Sequence, residues 1–139
     1  MKYIPGPDQA LNTLLQAAHQ WEDRLEAAMA SVELSPPKLS VLTELVNAGG
    51  ALTLGELADR IHCVRSNVTQ LMDRLEAEGL VRRANHGSDR RRIRAELTDQ
   101  GKARQQAGAE QLAKVQQEFA KAFPGPERTA LVGALGSGK

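Results

Sequence analysis

Nine arginines lie between positions 60 and 94: Arg60, Arg65, Arg74, Arg82, Arg83, Arg90, Arg91, Arg92 and Arg94. The same window holds four acids, Asp73, Glu76, Glu78 and Asp89, and no lysine, so its net charge is +5. The rest of the chain carries −4, and the overall charge of +1 hides the segregation. The planar guanidinium fork suits phosphates, guanine edges and narrow minor grooves. Arg90, Arg91 and Arg92 are consecutive. Such a run repels itself in isolation and becomes favourable beside a phosphate backbone, where condensed counterions are released. The chemistry on offer is polyanion binding. A solvated basic surface is the competing reading, and composition alone does not separate the two.

Other reactive groups are few. Cys63 is the single cysteine, so no intramolecular disulfide can form and a reducing compartment is expected. His62 and Arg65 beside it could lower its pKa and make it a thiol switch. Packing as a small apolar residue is the competing role. His19, His62, Cys63 and His86 show no metal-ligand spacing, so no metal is expected. No glycine-rich phosphate loop, nucleophile elbow or His-Glu-x-x-His pattern occurs, so neither an enzyme nor a cofactor is expected. The aromatic residues are Tyr3, Trp21, Phe119 and Phe123, with none between 22 and 118. That gap excludes a base-stacking platform or an aromatic cage in the middle of the chain. No apolar run is long enough for a membrane span or a signal peptide, which places the expected location in the cytoplasm.

The elements that must carry the arginines can be read from spacing. With 139 residues, 41% of them apolar, one domain is expected across 1–139. Asp8 follows Pro-Gly-Pro and can cap a first helix, whose apolar positions run from Leu11 to Val32. That helix is longer than a small globule needs and hints at a partner surface. Ser35-Pro36 opens a second helix, with Leu39, Val41, Leu42, Leu45 and Val46 inside and a stop at Gly49-Gly50. Thr53-Leu54-Gly55-Glu56 is a capping box for a short third helix, with Leu52 and Leu57 as its staple. After a tight turn, a fourth helix buries Val68, Leu71, Met72 and Leu75. Gly79 ends it, with Leu80 folding back in a Schellman cap. Leu80 to Ala84 and Ile93 to Leu97 are strands joined by Asn85-His86-Gly87-Ser88, a hairpin with arginines at its tip. Thr98 caps a fifth helix with small early inner positions (Ala103, Ala107) and large later ones, Leu112, Val115, Phe119 and Phe123. A short last helix carries Leu131, Val132 and Leu135.

Two short apolar helices around a tight turn form a helix-turn-helix. The fold class is therefore mainly α, a winged helix-turn-helix core with a two-stranded β-hairpin wing (35–97) between helical arms (8–34 and 98–139). On the fourth helix the outward residues are Arg65, Ser66, Asn67, Thr69, Gln70, Asp73 and Arg74. Arg65 can grip guanine O6 and N7, and Asn67 or Gln70 can do the same for adenine N6 and N7. Ser66 and Thr69 can donate to phosphate or to a base edge. An ordinary polar helix face is the alternative.

Residues 53–101 resemble the MarR family of bacterial transcriptional regulators. The matching stretches are Leu57-Ala58, Val68 to Glu76, Gly79-Leu80-Val81-Arg82-Arg83, Asp89-Arg90-Arg91, Leu97-Thr98 and Gly101. The resemblance implies a homodimer with intertwined terminal helices, acting as a repressor of double-stranded, palindromic DNA operators and released by a small-molecule effector. It implies recognition helices in successive major grooves and wings in the flanking minor grooves. Arg91 is then the residue for minor-groove insertion, with Asp89 orienting it. A turn residue bonding its own backbone is the other role open to Asp89. The resemblance places the effector pocket between the first two helices and the fifth, with His19, Trp21 and Met29 as candidate lining residues. Trp21 and Met29 also fit core packing. Two departures stand out: His62 occupies the turn where a small residue is common, and Val64 replaces the usual cap. A winged-helix protein-interaction module is the alternative function.

Overall fold

Pro7 opens a 24-residue helix, α1 (Pro7–Ala30), in the computed structural model, which describes residues 2–63, 65–85 and 93–136 and no side chain at Arg65. The cap is Gly6, with no side-chain bond, and Asp8 sits in the first turn instead. Its carboxylate there faces the positive end of the helix dipole, which explains an acid at this place without a capping bond. The helix ends where Glu33 adopts φ 57° and Leu34 N–H donates to Met29 O at 2.9 Å. That is the Schellman pattern without a glycine.

The second helix, α2 (Pro36–Asn47), has the expected cap. Ser35 Oγ accepts from Lys38 N–H at 3.4 Å, and proline fills the first turn. Gly49 and Gly50, at φ 85° and 115°, stop it, and Gly50 N–H returns to Leu45 O at 2.7 Å. The chain then forms β1 (Ala51–Thr53) and α3 (Leu54–Arg60). The capping box is complete: Glu56 N–H donates to Thr53 Oγ1 and Thr53 N–H to Glu56 Oε1, both at 3.1 Å. Helix α4 (Arg65–Ala77) follows. Gly79 ends it at φ 76°, with Leu80 N–H on Leu75 O (2.9 Å) and Gly79 N–H on Glu76 O (3.0 Å).

Strands β2 (Val81–Asn85) and β3 (Ile93–Leu97) pair antiparallel, from Val81↔Leu97 to Asn85↔Ile93. The expected hairpin is present, but the sheet has a third strand. β1 lies on the other edge of β3, with Leu52 opposite Ala95. Thr98 Oγ1 donates to Gly79 O at 2.7 Å and accepts from Gly101 N–H at 3.0 Å. One hydroxyl thus ties the end of α4 to the start of α5 (Asp99–Ala122). Helix α6 (Gly125–Gly136) closes the described chain.

The core lies between α2, α3, α4 and the sheet. Val41, Leu42, Leu45, Leu57, Val68, Met72, Leu75, Leu80 and Ala95 are fully buried. Helix α5 approaches it through glycines rather than the alanines expected. Gly101 and Gly108 are buried, while Ala103 is exposed and Ala107 half-buried. A Cβ on Gly101 would collide with Leu80 O, and one on Gly108 would lie 2.8 Å from the side chains of Leu34 and Leu39. At Gly101 the obstacle is backbone, so only glycine admits the approach, while at Gly108 a side chain would force the two leucines to shift. Among the described residues no helix is long and apolar enough to cross a membrane.

Candidate nucleic-acid interface

A tight turn delivers α4 to the surface. His62 takes the left-handed conformation (φ 53°), and Cys63 N–H donates back to Ala58 O at 3.1 Å. The residue that stands in place of a small one therefore adopts the backbone shape a glycine would supply, a conformation histidine tolerates better than most residues. Cys63 is half-buried against the core. The Val64 cap lies outside the described residues.

Helix α4 divides cleanly. Val68, Met72 and Leu75 have no exposed surface, and Leu71 is half-buried beside them. Ser66, Asn67, Thr69, Gln70, Asp73 and Arg74 are exposed. The structure thus brings six of the seven residues expected to face outward on α4 onto its exposed side. The backbone of Arg65 begins the helix, and its side chain is outside the description. The wing residues Asp89, Arg90, Arg91 and Arg92, and the turn at His86-Gly87-Ser88, also lie outside the described residues.

The base of the wing is locked to this helix through Arg83, a residue the sequence reading counted only as charge. Its guanidinium donates to Asp73 Oδ1 at 2.6 Å, to Glu76 Oε1 at 2.8 Å and to Thr69 O at 3.4 Å. Its backbone N–H donates to Glu76 Oε2 at 2.9 Å. Partial burial works against the charge on Arg83, but the bonds and Coulomb attraction of Asp73 and Glu76 outweigh it. The pKa of Arg83 is accordingly raised above the ordinary guanidinium value. Charge-assisted, two-carboxylate bonding of this kind fixes angle as well as distance. Strand alternation was the available signal: of the neighbours Arg82 and Arg83, one must face the helix packed on β2.

The arginines of the basic window therefore divide by role. Arg83 is neutralised by Asp73 and Glu76. Arg82 reaches Glu96 across the strands at 3.3 Å, and Arg60 approaches Glu44 at 3.7 Å. Arg74 has no ion-pair partner among the described residues and is exposed beside Gln70 on the outward face.

The three candidate effector residues do not converge. His19 is exposed on α1, its Nε2 3.6 Å from Asp23. Met29 is 1% exposed and belongs to the core, where the stripe of α1 meets α2 and leaves it no wall to offer a ligand. Trp21 lines a groove of about 330 Å³ between α1 and α5. It packs edge-on against Phe119, with centroids 5.3 Å apart, and Phe119 stacks on Phe123 at 4.9 Å. Arg24 lies over the Trp21 ring at 4.4 Å.

Comparison with known proteins agrees with this geometry. Residues 34–93 match the MarR family. The Bacillus subtilis transcriptional repressor MdtR is 38% identical over 102 residues, covering 70% of this chain and 65% of its own length. The chain spans 44% to 65% of the first curated relatives it matches. The solved structure of AbsC, a MarR family transcriptional regulator from Streptomyces coelicolor, superposes with a TM-score of 0.82 at 26% identity. It covers 97% of this chain and 93% of AbsC. A mutant E. coli MarR complexed with operator DNA has the same fold, with a TM-score of 0.76 at 22% identity over 91% of both chains. Core, sheet and arms thus agree in kind and order with these regulators, and the match to the MarR family spans residues 34–93, from just before α2 to the first residue of β3.

Proposed function

We propose that this protein is a homodimeric, cytoplasmic transcriptional regulator that binds specific double-stranded DNA, represses from it and is released by a small-molecule effector. It has no catalytic role. The observation that carries this reading is α4, apolar and buried on one side and polar and exposed on the other, braced at a fixed angle to the wing by Arg83. Ser66, Asn67, Thr69 and Gln70, with Arg65 at the helix start, read base edges and phosphates in the major groove. Arg74 contacts the backbone. Asp89, Arg90, Arg91 and Arg92 on the wing reach the flanking minor groove, with Arg91 inserted. A second copy supplies the other α4, spaced by about one helical turn, roughly 34 Å. Supporting the dimer, α6 buries none of its residues, and Leu11, Leu14, Leu15, Val132 and Leu135 are at least 40% exposed. Apolar surface gathered in this way marks an interaction face.

A salt titration of binding to genomic and random duplexes tests the reading. Affinity should fall by roughly 0.9 log units per log unit of salt for each phosphate contact, and genomic sites should exceed random ones. Binding without salt dependence, or none at all, would sink it.

A further inference from the structure

A cavity of about 630 Å³ opens between the arm helix and the recognition helix. Glu22, Leu25 and Glu26 of α1 form one wall, Pro36 and Pro37 at the start of α2 form the floor, and Leu71 and Arg74 of α4 form the opposite wall. It is not the groove between α1 and α5 that holds Trp21. Its volume lies within the range that accepts drug-sized ligands. Its lining has two features. The apolar part, made by Leu25, the two prolines and Leu71, is broad enough for a ring system. The polar part is asymmetric: Glu22 and Glu26 stand one helical turn apart on the same face, against the single cation Arg74. Among the described residues, neither carboxylate has an ion-pair partner, and neither does Arg74. The wall of α1 is therefore a doubly negative edge beside an apolar surface.

We propose that this cavity binds an amphipathic organic cation built on an aromatic ring. The ammonium group sits between Glu22 and Glu26. The ring lies on the prolines and Leu71, with the planar guanidinium of Arg74 stacked on its outer face. A bound ligand holds α1 to α4 and withdraws Arg74 from the phosphate backbone. The consequence for DNA rests on the function proposed above, and the binding step does not. A ligand can release DNA only if it binds the DNA-free arrangement more tightly, and a site with one wall on the recognition helix meets that condition directly.

Two probes of one shape and opposite charge test this: 2-(1-naphthyl)ethylamine and 1-naphthylacetate. Calorimetry on the full chain without DNA should show the amine binding at least about tenfold tighter than the acetate. The double variant E22Q/E26Q changes only exposed positions to a residue of similar helix propensity. Its circular dichroism should match the wild type, and its amine affinity should fall by about tenfold or more. Tighter binding of the acetate, no binding of either probe, or full amine affinity in E22Q/E26Q would each overturn the proposal. Duplex binding without a probe is measured separately, and its absence counts against the proposed function alone. With the amine present, the duplex Kd should rise for the wild type and stay fixed for E22Q/E26Q. An amine that binds without moving that Kd would overturn the link to α4.

Discussion

Leucines in the core and leucines in the arms have opposite fates. Leu42, Leu45, Leu57, Leu75 and Leu80 have no exposed surface, whereas Leu11, Leu15 and Leu135 keep more than half of theirs. Both sets have helical spacing, and neither is distinguishable from the other by composition. The difference lies in what the single chain can place opposite them. The core closes on itself through three helix ends that reverse within two residues, at Gly49, His62 and Gly79. The arms run for 24 residues in α1 and 24 in α5 without such reversals, so much of their apolar surface outlasts the folding of one chain. The core thus closes within one chain, and the arms leave apolar surface uncovered.

The strongest way to break that contrast is Leu75→Ala. This side chain is fully buried under α4. Its truncation should cost about 2–5 kcal/mol in urea unfolding, independent of protein concentration within the core transition. Next comes Arg83→Met, which removes the bonds to Asp73 and Glu76 but keeps the stem. Both carboxylates are at least 40% exposed, so solvent screening limits the stability loss to under about 1 kcal/mol. Duplex affinity should nevertheless fall by about tenfold, roughly 1.4 kcal/mol, because the wing loses its angle to α4. A melting shift as large as that of Leu75→Ala, with unchanged DNA affinity, would make Arg83 merely a fold residue. Smaller again is Leu15→Ala. This residue is 58% exposed, and the change should cost about 1 kcal/mol per protomer, all of it in association. Sedimentation should show a weaker dimer whose melting temperature depends on concentration. A loss of core stability without any effect on association would erase the distinction between the two regions.

What could be read from the chain follows the same division. Local chemistry was legible: the Thr53–Glu56 capping box, the Ser35 cap, the Gly79–Leu80 reversal and the Thr98 cap are each written within a few residues. Features set by distant partners were not. Strand β1 is three residues long, too short for alternation to register, and exists because Leu52 meets Ala95. Gly101 is required by Leu80 O, and Gly108 makes room for Leu34 and Leu39, which no pattern within α5 reveals. Periodicity suggested the alanines because small residues of either kind satisfy it. Arg83 was visible as a charge, but its role depends on β2 packing on α4, and Met29 was visible as an apolar stripe residue whose depth only the fold decides. On the interface, the outward face of α4 was legible because a buried face at helical spacing dictates the opposite one.

The smallest effect concerns the capping box that joins β1 to α3. The carboxyl of Glu56 is held below its ordinary value of 4.5, first by its side-chain hydrogen bond with Thr53, then by the Thr53 backbone bond, with Arg94 and Arg60 adding attraction. Desolvation opposes them by more than either arginine adds, and the two Thr53 bonds still prevail. A carboxyl whose pKa is lower in the folded than in the unfolded state contributes stability that is fully present above the unfolded value. The contribution is lost as the pH falls through the folded one. Glu56→Gln keeps an acceptor for Thr53 N–H and removes the titration. Urea midpoints of the two proteins should therefore differ most at neutral pH, in favour of the wild type, and converge as the pH falls below about 4.5. Because every other carboxylate is common to both proteins, the difference isolates this one group. A gap that stays constant from neutral to acid pH would show that the bond, and not the charge, is what Glu56 contributes. Glu56 caps α3 away from the arms, so the gap should also be independent of protein concentration, unlike that of Leu15→Ala.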